Sequence, residues 1–333
     1  MQKRNIGLDI IKGFAALLVC MLHLLRVDFG RVIPGEIYFP NLSKIIYGLC
    51  ACSVPLFFFV NGYLVGFRQN KPGQIFRKIV NLFKLRIVWG GIIGAIMCII
   101  LKRTYTFSNF KELTFYLWFF EALIIVYVFL LVWDKIKYSK WSIAIPIVLF
   151  MVPFCSNFIG LVLTFLDHTL PDFWGHTGFF RLYGIFYFIL PFYLKGRTLP
   201  VSWAIVSVII GLAIITLEVY VWSNIYGVVY DGMNACFPTI GALLMTLGFF
   251  SLFTAKMYNE QNKIVQYVAW LGRNCMGIYI FHIPFVAFFR TYISTTYVPT
   301  VCAIIVSGII ITMSALIYSY IVKNKLFGYL LKI

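Results

Sequence analysis

The sequence predicts an all-α integral membrane protein: a polytopic bundle of about ten transmembrane helices, one domain over residues 1–333, with both termini cytoplasmic. Three observations predict it. The chain is 62% hydrophobic and only 12% charged, with a mean hydropathy of +0.91, whereas a soluble globule is about half apolar and about a quarter charged. Apolar runs of about 20 residues, enough to cross a bilayer as a helix, recur from end to end between short polar breaks. The basic residues are also shared unevenly between alternate breaks, as cytoplasmic and external loops share them.

Spans are predicted at 6–25, 45–67, 85–101, 113–133, 141–165, 179–195, 202–222, 233–254, 264–289 and 298–322. The first follows a basic MQKRN start. Asp9 and Lys12 interrupt its apolar stretch and no small-residue cleavage site follows, so it reads as a retained helix rather than a signal peptide. The fifth carries Pro146 and Pro153, which break the helical hydrogen-bond ladder.

With the N-terminus inside, 19 basic residues fall on the cytoplasmic side, six of them between Arg68 and Arg86, and eight fall outside. Six of the eleven acids lie in the outer loops. That asymmetry requires an even number of spans and makes the net charge of +17 mostly an orientation signal. It argues against nucleic-acid binding, since the basic residues form no single soluble face. The eight cysteines sit mostly inside apolar runs with no paired C-x-x-C, so neither a disulfide framework nor a zinc site is expected. His168 and His176, near Asp167 and Asp172 in the outer loop between the fifth and sixth spans, have no regular spacing of the kind that holds a metal.

The first span carries the functional signal. At 100° per residue, Lys12 and His23 return to within about 20° of one helix face, about 16 Å apart along the axis. Asp9 lies close to the same stripe. A polar seam inside a membrane normally faces a bundle interior or a wet cavity; the alternative is that Lys12 snorkels to the inner interface and His23 sits among the outer headgroups.

These residues also carry a resemblance. Lys12 and His23, preceded by Leu8-Asp9, resemble the R/K-x10-H motif of the membrane-bound acyltransferase-3 family, which acylates surface polysaccharides and related acceptors. VPLFFFVNGYL (Val54 to Leu64) is similar to that family's V-P-x-F-F-x-x-S-G-[FY], with Asn61 in place of Ser and Tyr63 at the aromatic position. LWFFEAL (Leu117 to Leu123) resembles its L-W-[FY]-[LF]-x-x-L, and Phe180 to Gly196 its R-N-x-x-x-x-G-x-P-F-F-x-x-G, with Leu182 replacing Asn. LGRNCMGIYIFHIP (Leu271 to Pro284) is similar to its late L-G-x-[NY]-[ST]-x-x-I-Y-L-x-H, with Cys275 in place of the hydroxyl residue. The five motifs span nearly the whole chain in the family's order. The R-x-x-R that follows its second span has no clean copy; Arg77-Lys78 and Lys84-Leu85-Arg86 stand there instead.

The resemblance implies an O-acyltransferase that moves acetyl, or another acyl group, from cytosolic acyl-CoA to a glycan or lipid-linked glycan hydroxyl. It has no tightly bound cofactor or metal and acyl-CoA as co-substrate. It implies a bacterial inner or plasma membrane, with membrane lipids as neighbours, and is compatible with a homodimer. On this reading His23, with Lys12 and Asp9, is the catalytic group. It takes the acceptor's proton or briefly carries the acyl group, since an alcohol needs a base and imidazole titrates near neutrality. The acid-free cluster Arg68, Arg77, Lys78, Lys84 and Arg86 holds the CoA phosphates, or else only sets topology and meets anionic lipid. Asn61, Tyr63, Trp118, Glu121, Arg181, Tyr279 and His282 line the cavity or bind the acceptor. Of these, Glu121 is expected to pair or be protonated, Arg181 to bind an acceptor or anchor at headgroups, and His282 to form a second polar wall or a hydrogen-bonded core histidine. Glu218 reads as a structural partner, and Trp174 as a sugar-stacking or interfacial ring. The competing classes are a transporter or flippase for polysaccharide precursors, which also shows intramembrane charge but usually two similar halves, and a non-catalytic subunit of a biosynthetic complex.

Overall fold

The computed structural model describes residues 5–25, 42–66, 70–165, 182–226, 239–255, 258–293 and 299–324, apart from the side chains of 43, 44, 156–165 and 218–226. Every regular element among them is helical. The helices are α1 (Ile6–Leu25), α2 (Leu42–Cys50), α3 (Ser53–Val65), α4 (Pro72–Ile100), α5 (Phe107–Leu113), α6 (Trp118–Ile136), α7 (Ala144–Phe165), α8 (Leu182–Tyr193), α9 (Val201–Tyr226), α10 (Ile240–Ala255), α11 (Lys263–Arg273), α12 (Cys275–Tyr292) and α13 (Thr300–Lys323). Six stretches among the described residues are long and apolar enough to cross a membrane: Ile6–Leu25, Ile45–Val65, Pro72–Ile100, Phe115–Ile136, Cys275–Tyr292 and Thr300–Lys323. Lys140–Cys155, Leu182–Tyr193, Val201–Leu217 and Ile240–Ala255 are shorter apolar helices.

Three boundaries differ from the sequence reading, each for a local reason. The second predicted span breaks into α2 and α3 at Ala51 and Cys52. Pro55 has no N–H to donate back and suits only a helix's first turn, so the chain turns and restarts at Ser53. The third begins at Pro72 rather than 85, with Pro72 in the first turn after an extended Lys71. At 29 residues, α4 is about 43 Å long, beyond the ~30 Å hydrocarbon core. The ninth breaks at Asn274 into the short α11 and the spanning α12, where the Asn274 side chain donates to the Trp270 carbonyl at 2.8 Å.

Helix α1 is the axis of the bundle, packing on α2, α3, α10, α11, α12 and α13. Of its 20 residues 14 are buried, as expected of a helix apolar all round. With no water to expel between helices in lipid, close backbone approach through small residues drives their association. Gly272 of α11 lies against the Asp9 carbonyl, where any Cβ would collide with backbone, and Gly13 faces the Val268 carbonyl in the same way. These contacts clamp α11 across the first half of α1 and fix the height of Asp9 and Lys12. Similarly, Gly62 lets α3 touch the backbone of Phe188 on α8. Outward, α4 presents Phe76, Val80, Phe83 and Ile87 as one exposed apolar stripe, and α13 presents Val301, Ile305, Ile309 and Leu316. Such patches would be liabilities in water and suit a lipid-facing surface.

Candidate active site

One cavity of about 200 Å³ lies between α1, α3, α6 and α12, with Leu82 of α4 closing a side. Its wall is mostly apolar and aromatic, including Val54, Phe57, Trp118, Phe119 and Leu123. The polar groups on it are Lys12, His23, Asn61, Tyr116, Tyr127, Cys275, Tyr279 and His282. Lys12 and His23 therefore do share one face of α1, and that face is turned inward, away from lipid.

At the Lys12 end, the ammonium lies 3.7 Å from the Asp9 carboxylate, one turn earlier on α1. Asp9 is 3% exposed and does not line the cavity. It acts as the counter-charge behind the wall, and the pair offsets part of the cost of holding an ammonium in a low-dielectric bundle. Asn61 stands on the last turn of α3 and Cys275 at the start of α12. Tyr127 carries the Lys78 ammonium over its ring at 5.1 Å, so Lys78 reaches the back of the cavity wall.

At the other end, His23 and His282 face each other with ring centroids 5.3 Å apart. Arg290 of α12 donates to two carbonyls in the last turn of α1, His23 O at 2.5 Å and Leu24 O at 2.8 Å, placing a cation at the negative end of the helix dipole. This contact fixes the turn that bears His23.

His282 is 1% exposed, and its Nδ1 lies 3.0 Å from Ile278 O and 2.9 Å from Tyr279 O. Both neighbours can only accept, so Nδ1 carries the proton and Nε2 carries the lone pair. That Nε2 is buried and has no hydrogen-bond partner among the described residues. Leaving a buried acceptor unmet costs about 1–3 kcal/mol, which is a reason to look for what it meets in the working protein.

A pair of tyrosines supports this end. Tyr116 stands in the 3-10 turn Phe115–Leu117, whose tight geometry leaves backbone groups in need of partners. Tyr279 supplies them, donating to Tyr116 O at 2.7 Å and accepting from Phe119 N–H at 3.0 Å. Tyr116 in turn donates to Ile280 O at 2.7 Å. That carbonyl lacks its helical donor because the residue four positions on is Pro284, without an N–H. The edge of the Tyr116 ring meets His282 with centroids 5.8 Å apart.

Of the residues expected from the sequence, Lys12, His23, Asn61, Trp118, Tyr279 and His282 line the cavity. Two do not. Tyr63 packs its ring on Phe250 of α10, 5.2 Å between centroids, because it lies on a different face of α3 from Asn61. Glu121 pairs with Arg86 at 3.2 Å, linking α6 to α4. The same pair alters the expected phosphate cluster: Lys84 and Arg86 stand well inside α4 rather than in the segment before it, and Arg86 is committed to Glu121. Arg77 is exposed on the second turn of α4. Arg68, Arg181, His168, His176, Asp167, Asp172 and Trp174, and the Glu218 side chain, lie outside the described residues.

Sequence reasoning missed Tyr116, Tyr127 and the part played by Arg290. Pro284 was the available signal for Tyr116, since a proline inside a spanning helix orphans a carbonyl that something must satisfy.

A family model described as an acyltransferase domain, the acyltransferase-3 model, matches residues 5–320. No curated protein and no solved structure matches the chain.

Proposed function

The chain belongs to the acyltransferase-3 family, and on that premise we propose that this membrane protein transfers an acyl group, acetyl in the simplest case, from cytosolic acyl-CoA to a hydroxyl of a surface or lipid-linked glycan. The observation that carries the reading is that one cavity is bounded by Lys12 at one end and by His23 and His282 at the other, about 16 Å apart along α1. A cavity of that length lets donor and acceptor meet from opposite sides without CoA crossing the bilayer.

The cytosolic donor enters at the Lys12 end. Arg77 and Lys78, with Arg68 and Lys84, hold its phosphates, and Lys12 lines the path of the thioester. The acceptor oxygen attacks the thioester carbonyl carbon and the C–S bond breaks. The hydroxyl proton is carried by His23 and ends on the CoA sulfur, giving ester and free thiol. The mostly apolar wall excludes water, which protects the thioester from hydrolysis and strengthens each polar contact. Both termini are cytoplasmic in this arrangement, and the bilayer is a bacterial inner or plasma membrane.

The full chain in lipid nanodiscs, given acetyl-CoA labelled in the acetyl group and a panel of glycan acceptors, tests the reading. It predicts CoA release that depends on acceptor and label recovered as an ester. Absence of turnover with every acceptor, together with movement of a lipid-linked glycan across the bilayer, would replace it with a flippase.

A further inference from the structure

We propose that His282 is a second catalytic imidazole: its Nε2 is the base that first takes the proton from the acceptor hydroxyl, and His23 is the station from which that proton reaches the CoA sulfur. This rests on the acyltransferase reading and goes beyond it by naming the group that meets the acceptor.

Three observations carry the assignment. The tautomer is set by the backbone: with Nδ1 held against Ile278 O and Tyr279 O, the remaining lone pair is on Nε2, the form a general base requires. The lone pair is unspent: His282 lines the cavity, and its Nε2 is buried with no partner among the described residues. A histidine serving only to fill the core would be expected to satisfy both nitrogens. Finally, the ring is held still, by its two carbonyl contacts and by the edge of Tyr116 at 5.8 Å, and it faces His23 at 5.3 Å. A pre-positioned base next to a second imidazole gives the proton a continuous path.

The step balances. The acceptor O–H bond breaks and its proton bonds to His282 Nε2. The oxygen bonds to the acyl carbon as the C–S bond breaks. The proton then passes from His282 to His23 and on to the thiolate, returning both rings to their starting state with ester and CoA thiol as products.

The test variant is His282→Asn. The shorter amide can still donate to the Ile278 and Tyr279 carbonyls but has nothing at the Nε2 position. In nanodiscs, glycan-dependent CoA release is expected to fall by about 10²- to 10⁴-fold, the usual worth of a general base. Hydroxylamine attacks a thioester without needing a base, so with it as acceptor the variant should release CoA within about threefold of the unmodified protein. Transfer to glycan within about threefold of the unmodified protein would overturn the proposal. So would a defect of equal size with hydroxylamine, which would mark a structural role. ¹⁵N spectra of histidine-labelled unmodified protein supply a reading that does not depend on the variant folding: Nε2 of His282 should be unprotonated near pH 7, and a protonated Nε2 with a bare Nδ1 would also overturn the assignment. If the unmodified protein itself transfers nothing to any acceptor, the acyltransferase reading fails before this one is reached.

Discussion

Two of the ion pairs among the described residues serve different ends. Asp9 and Lys12 stand one turn apart on α1, 3.7 Å from each other, with the ammonium on the cavity wall. Arg86 and Glu121 join α4 to α6 at 3.2 Å, and neither lines the cavity. In the sequence all four ranked as functional candidates: Asp9, Lys12 and Glu121 because charge inside a bilayer is costly and seldom incidental, and Arg86 as part of the acid-free basic cluster expected to hold phosphates. The structure separates them by what lies in front of each pair: an aromatic-walled cavity leading to two histidines, or the seam between two neighbouring helices. Intramembrane charge marks a place where something must be paired. Function is indicated only where the paired group also faces open space.

The largest effect that would sharpen this contrast is at the far end of the cavity from Lys12. His23→Ala should lower acceptor-dependent CoA release by about 10²- to 10⁴-fold, with the protein still inserted and unchanged in thermal unfolding followed by tryptophan fluorescence. Retained transfer would remove His23 from the chemistry.

Next comes the cavity pair itself. Lys12→Met leaves the nearly inaccessible Asp9 carboxylate without its ammonium and should cost about 3 kcal/mol of stability, as broken buried pairs do. Adding Asp9→Asn should recover most of that stability but not the transfer rate, because Lys12 would still be missing from the donor path. Recovery of both would place this pair in the same class as Arg86 and Glu121.

For that second pair, the double change Arg86→Gln with Glu121→Gln should leave kcat within about threefold and stability within about 1 kcal/mol, both side chains being partly exposed and their mutual worth modest. A loss of transfer beyond tenfold would break the comparison. The smallest effect belongs to Tyr63, which faces Phe250 rather than the cavity. Tyr63→Phe should change stability by under about 0.5 kcal/mol and leave the KM for acyl-CoA unaltered.

What the sequence made legible follows from the range over which its signals act. Lys12 and His23 are eleven positions apart on one helix, so helical periodicity alone put them on one face, and their shared cavity bears that out. The late His282 was visible as a candidate, though its tautomer was not, since that depends on two carbonyls brought within reach by the fold. The depth of Arg86 was hidden because the first half of α4 interleaves Arg77, Lys78, Lys84 and Arg86 with the exposed apolar residues Phe76, Val80, Phe83 and Ile87, so a hydropathy window averages them away. The break at Asn274 was hidden because α11 is amphipathic and α12 apolar, and read end to end they imitate one long span. The Tyr116 hydroxyl and the Ile280 carbonyl lie 164 positions apart. No local pattern connects them, although Pro284 announced that one of the two was needed.

The central claim is that one cavity joins Lys12 to the two histidines and receives the thioester. A structure of the full chain in lipid with a thioether analogue of acetyl-CoA tests it most directly. The account predicts pantetheine density running along the Lys12 side of α1, with the acyl carbon between His23 and His282. Analogue bound at another surface, with this cavity still closed around its own side chains, would contradict it.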